Sequence, residues 1–171
     1  MATIPASQVP PTERVQTSFK QLSIAATSLN SASDELGQVI GVLDAALKKL
    51  NLGVSAWVNL ASNRDENGNY WSRKLGYGKA AGKWGIALNT TAGNYDYPDE
   101  ENSESWLFNE APRWMRVEAV GKIPDLLEAL LKQTEDTTKT IKKKTEQALE
   151  LAQAIHCLVE ESEPAEQKGQ K

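Results

Sequence analysis

From Val15, apolar positions recur by alternate steps of four and three: Val15, Phe19, Leu22, Ala26, Leu29, Ser33, Leu36, Ile40, Leu43, Leu47 and Leu50, with Ser33 the one polar member. Five heptads of this repeat predict a long helix with a coiled-coil seam. Thr12 and Glu13 suit its start, and Asn51 and Gly53 its stop. The span 12–51 would be about 58 Å long, too long to wrap into a compact globule. Ile24, Val39, Val42 and Ala46 widen the apolar stripe beyond what one partner helix covers, which predicts a bundle formed by two copies.

The same repeat returns near the C-terminus at Leu127, Leu130, Thr134, Thr137, Ile141, Lys144, Ala148, Leu151, Ile155 and Leu158. Pro124 and Asp125 suit a first helical turn, so a second long helix is expected over 124–159. If the two helices fold back antiparallel with Leu50 level with Leu127, facing residue numbers sum to 177. Ser33 then meets Lys144, and Lys20 lies level with Cys157. The expected seam comprises Phe19, Leu22, Leu29, Leu36, Ile40, Leu43 and Leu47 with Ile141, Leu151 and Ile155.

Between the helices the pattern changes period. VSAWVNLA, 54–61, alternates as a half-buried strand with Val54, Ala56, Val58 and Leu60 on one face, and NRDENGN, 63–69, has the composition of a hairpin turn. Trp71, Leu75 and Tyr77 share one face of a second strand, and Trp84, Ile86 and Leu88 share one face of a third. AGNYDYPDEENSE is expected to be a mobile acidic loop, SWLFN, 105–109, a possible fourth strand, and Trp114, Val117 and Val120 the buried stripe of a short helix over 111–121. The fold class is therefore α+β: two long antiparallel coiled-coil-like helices flanking a three- or four-stranded antiparallel meander (53–109) and a short helix. Residues 12–159 form one domain, and 1–11 and 160–171 are expected to be a disordered arm and tail.

Composition narrows the functional classes. Ten of the eleven aromatic residues lie between 57 and 114, and the net charge of −4 supplies no global attraction for nucleic acid or anionic lipid. The opening MATIPASQVPPTERV has no apolar run of signal-peptide length, and no stretch approaches the length of a membrane span, so a cytoplasmic protein without membrane insertion is expected. The sole cysteine, Cys157, rules out an intrachain disulfide and a repeated-cysteine zinc site. His156 is the sole histidine, and neighbours on a helix point about 100° apart, so the two do not form a dyad.

YWSRKLGYGKAAGKWGIALN, 70–89, is the one stretch resembling chemistry. Gly76, Gly78 and Ala81 make a GxGxxA, but KWGIAL follows as a strand, whereas a dinucleotide fingerprint must run into a helix. A kinase-type glycine loop fits the local shape, yet no HRD or DFG accompanies it. Arg73, Lys74, Lys79 and Lys83, interleaved with Tyr70 and Trp71, could bind single-stranded nucleic acid. The lysines of KTIKKKTEQ read as a solvated coil surface.

No catalytic, cofactor or metal residues are expected, and an enzyme is the less favoured class. The favoured function is a non-enzymatic interaction module: a helical-hairpin oligomerisation rod, preferably dimeric, that presents a Trp-rich sheet to an unidentified protein partner through Trp57, Tyr70, Arg73, Lys74, Lys79 and Lys83. A nucleic-acid-binding protein using the 70–89 hairpin is the alternative, and a small-molecule pocket between sheet and short helix is a third.

Overall fold

A computed structural model of the chain describes residues 10–162, with side chains through 158. The order is α1 (Pro11–Leu50), β1 (Ala56–Arg64), β2 (Asn69–Ala80), β3 (Lys83–Asn94), β4 (Tyr97–Leu107), a 3-10 turn (Phe108–Glu110), α2 (Arg113–Val120) and α3 (Ile123–Ser162). The protein is thus α+β, with an antiparallel sheet in the order β1-β2-β3-β4. Residues 1–9 of the expected arm and 163–171 of the expected tail lie outside the described residues, and α3 runs through 160–162.

Asn51 ends α1 in the left-handed conformation at φ 47°, its N–H donating to the Lys48 carbonyl. Ala80 pairs with Lys83, so β2 and β3 are joined by the two-residue loop Ala81–Gly82, with φ of 47° and 81°. Two positive φ values match a hairpin turn to the twist of its strands. The β1–β2 loop is organised by Asp65, whose carboxylate accepts from the backbone N–H groups of Asn67 and Asn69, each at 2.9 Å, and from the Asn69 side chain at 2.8 Å. The Asn69 side-chain bond, followed by the two backbone bonds, holds the Asp65 carboxyl below its ordinary value.

The acidic run expected as a mobile loop is instead strand β4, paired with β3 from Tyr97 to Leu107. β4 has a neighbour on one side alone, and an edge strand tolerates Pro98 and the charges of Asp99, Glu100, Glu101 and Glu104, which would be costly in a central strand.

Cross-strand register separates the two sheet faces. Leu75 lies opposite Leu88 and Val58, and Tyr77 opposite Ile86 and Ala56; all belong to the core or pack against it. Ile40 and Leu47 of α1, Met115 and Ala119 of α2, and Leu126 and Leu130 of α3 cover this face. The expected apolar face of β2 and β3 is therefore the helix-covered one, with Trp71 and Trp84 at its exposed margins.

Each long helix docks over only part of its length. On α1 the buried stripe Ser33, Gly37, Ile40 and Leu47 meets the domain, whereas residues 11–32 are exposed. On α3, Leu126 and Leu130 are buried, Thr134 and Thr137 half-buried, and 138–158 exposed. The antiparallel pairing expected between the helices is not formed within the chain: Phe19 is 71% exposed, Leu22 64% and Ile155 62%. The Ser33–Lys144 match fails for a specific reason. Ser33 instead accepts from Arg116 Nη2 of α2 at 3.0 Å, beside a 2.9 Å bond from Arg113 to Asn30. Near the sheet, Ser33, Ile40 and Leu47 of the first seam and Leu130 of the second are buried in the domain, while Leu50 and Leu127 stay exposed.

α2 is present where expected but turned over. Met115 and Ala119 are buried while Trp114, Val117 and Val120 are exposed. The two stripes interleave on one short helix, and apolar spacing alone does not distinguish them.

Candidate functional site

Strand alternation sorts the residues expected to meet a partner onto opposite faces. Arg73 and Lys79 share the helix face with Leu75 and Tyr77, whereas Lys74 lies on the open face, as does Lys83 opposite Ala80. No single surface carries all four cations, which removes the basis for a continuous basic stripe along 70–89.

Arg73 is committed within the fold. Its guanidinium lies 4.7 Å from the Trp71 ring centroid and 5.0 Å from that of Trp114, and pairs with Glu118 at 3.2 Å. It fastens α2 to the sheet rather than facing a partner. The exposed Trp114 is thereby explained: one ring face rests against this cation.

The open face has its own organisation. Trp57 pairs in register with Gly76, and its ring occupies the space above that residue: a Cβ on Gly76 would lie 2.2 Å from the ring, and one on Gly78 3.3 Å. The glycines that resemble a nucleotide loop are therefore the floor beneath an indole. At the other end of the same face Tyr70 crosses Gly93, where a Cβ would meet the hydroxyl at 2.8 Å, and donates to the Glu101 carboxylate on β4. That bond, with burial and the Glu101 charge adding to it, raises the Tyr70 pKa. Tyr95 packs on Tyr70 with centroids 4.6 Å apart, and the Arg64 guanidinium lies 4.3 Å over Tyr95.

Beside the Tyr70–Tyr95 end is a concavity of about 710 Å³, lined among others by Asn59, Ser62, Arg64, Ser72, Lys74 and Thr91. Asn59 donates to Ser62 at 3.2 Å and Thr91 to Asn89 at 3.2 Å, whereas the Lys74 ammonium and Ser72 hydroxyl have no intramolecular partner among the described residues. The sequence identified Trp57, Tyr70 and Lys74 individually. It missed Asn59, Ser62, Arg64 and Thr91, whose shared face was legible from strand alternation alone.

A second concavity, about 280 Å³ and apolar, lies between the end of α1 and the start of α3 over Ile86, lined by Leu43, Leu47, Leu50 and Leu127 among others. Leu50 and Leu127 both border it and both stay exposed. Among the described residues no group of three or more His, Cys, Asp or Glu could hold a metal ion, and no helix is long and apolar enough to cross a membrane. Cys157 is exposed on α3.

These features define an α+β protein with one helix-covered and one open sheet face and two partly undocked helices. No protein-family model, curated protein or solved structure matches the chain.

Proposed function

We propose that this chain is a non-enzymatic interaction module: the undocked halves of α1 and α3 join two copies, and the open sheet faces meet a partner. The observation that carries this reading is the apolar seam left bare on both halves. Val15, Phe19, Leu22 and Leu29 are exposed on α1, and Ile141, Leu151, Ile155 and Leu158 on α3. Fully burying an aliphatic or aromatic side chain of this size contributes about 1.5–3 kcal/mol. Helices in proteins owe most of their stability to burial of an amphipathic face, so long bare arms call for a cover.

A second copy is the occupant that fits. In the register summing to 177, Phe19 meets Leu158, Leu22 meets Ile155, Ala26 meets Leu151 and Leu29 meets Ala148. Every one of these pairs falls within the undocked halves, outside the stripes taken by the sheet. α1 of one copy against α3 of the other, and the reverse, closes a two-fold dimer with no open end.

Light scattering at micromolar concentration tests it. Twice the 18.7 kDa chain mass is expected, falling to one chain mass for Leu22→Glu or Ile155→Glu with the sheet intact. A wild-type monomer under the same conditions contradicts the proposal.

A further inference from the structure

The open sheet face carries the exposed Trp57 indole, a polar row, a tyrosine pair capped by Arg64, and Lys74 on one side of one sheet. Trp57 lies on Gly76, opposite in register, and Tyr70 lies on Gly93; six residues of β2 separate the two ends, about 20 Å of strand. A ring laid along a glycine floor presents a flat apolar surface outward, and Trp57 keeps 38% of its surface exposed. Asn59, Ser62, Ser72 and Thr91 line the concavity beside Tyr70. These groups donate and accept, as a ligand rich in hydroxyls requires.

The charges set the sign of the ligand. Lys74, opposite Asn59, and Arg64, opposite Tyr70, are spaced by four residues of β2, about 13 Å. Glu101, the carboxylate lining the concavity, already accepts from the Tyr70 hydroxyl. Around the concavity, two cations against one occupied carboxylate favour an anion, and their separation favours an extended chain with spaced acid groups over a single compact one. Two cations are few for a phosphate backbone, whose binding scales with the number of phosphates neutralised.

We infer that this face binds an acidic saccharide chain, uronate-bearing, with Trp57 stacking on a sugar face and Lys74 and Arg64 holding carboxylates. The inference deepens the proposal that the sheet meets a partner and does not depend on pairing of the helical arms.

Titration of the full-length protein with oligogalacturonate tests it against three comparison ligands: neutral dextran, polyglutamate and single-stranded DNA. Oligogalacturonate is expected to bind most tightly, and Lys74→Gln and Arg64→Gln each to weaken it about tenfold, as loss of a charge-assisted hydrogen bond does. Both side chains are exposed, so both variants retain the fold. Equal binding of polyglutamate would reduce the site to a charge effect, and tighter binding of DNA would assign it to nucleic acid. Absence of saccharide binding, or indifference to both substitutions, would also overturn the inference. Repeating the titration with Leu22→Glu separates the two proposals: per-site affinity persists whether or not the arms pair.

Discussion

Gly76→Ala is the sharpest perturbation of the open face. The added Cβ would lie 2.2 Å from the Trp57 ring, with further ring atoms at 2.3 and 2.7 Å, so the indole must leave its seat. A tryptophan buries at least about 150 Å² when well packed, which at about 25 cal/mol per Å² bounds the loss near 4 kcal/mol. Partial repacking, with about 0.5–1 kcal/mol returned because alanine is less flexible than glycine in the unfolded chain, lowers the expected cost to about 2 kcal/mol. For a chain of this length that corresponds to a melting temperature lower by roughly 4–8 °C. Urea unfolding followed by tryptophan fluorescence reads the free energy, and the emission should shift as the indole gains water. In a Trp57→Ala background the same substitution should cost nothing, a coupling that a double-mutant cycle isolates. An unchanged stability in wild-type background, or the same loss with and without Trp57, would refute the seating of the ring on Gly76.

Further outcomes follow from other contacts. Arg73→Met removes the Glu118 ion pair and the cation between Trp71 and Trp114; with both charged groups partly exposed, a loss of about 1–2 kcal/mol is expected in urea unfolding, with faster amide exchange confined to α2. Ala81→Asn relieves a non-glycine residue at φ 47° and should raise stability by about 1 kcal/mol, read as a higher urea midpoint. Asp65 has a folded pKa below its ordinary 3.8, so its contribution is present above that value and lost as pH falls through the depressed folded value. Asp65→Ala should therefore be less stable than wild type at pH 7, with the difference closing as unfolding is repeated at progressively lower acid pH.

The elements of this fold were legible because their periods differ: four-three spacing marks α1 and α3, and two-residue alternation marks β1 to β3. What covers each apolar stripe was less legible. Ile40 and Leu47 carry the same coiled-coil spacing as Phe19 and Leu22, yet the first two face the sheet and the last two are exposed. Spacing defines a stripe on a helix without naming its cover. Likewise Trp114, Val117 and Val120 compete with Met115 and Ala119 on one short helix, and Arg73 against Trp114 and Glu118 decides the outcome from a distant strand. Only the end of β4, within SWLFN, was legible; its acidic stretch was hidden because an edge strand tolerates a composition that resembles a loop. On the open face the polar row was available from alternation, but the function of Gly76 and Gly93 depends on rings from other positions reaching over them.

Pairing of the arms between copies is tested most directly by a Lys20→Cys variant. Lys20 lies level with the exposed Cys157 in the register summing to 177. Mixed isotopically light and heavy chains, oxidised at low concentration and digested, should yield peptides joining residue 20 of one chain to residue 157 of the other, migrating as a covalent dimer without reductant. Bridges confined to single chains, or a Cys157 that reacts only with positions far from 20, would contradict the exchange of helical arms.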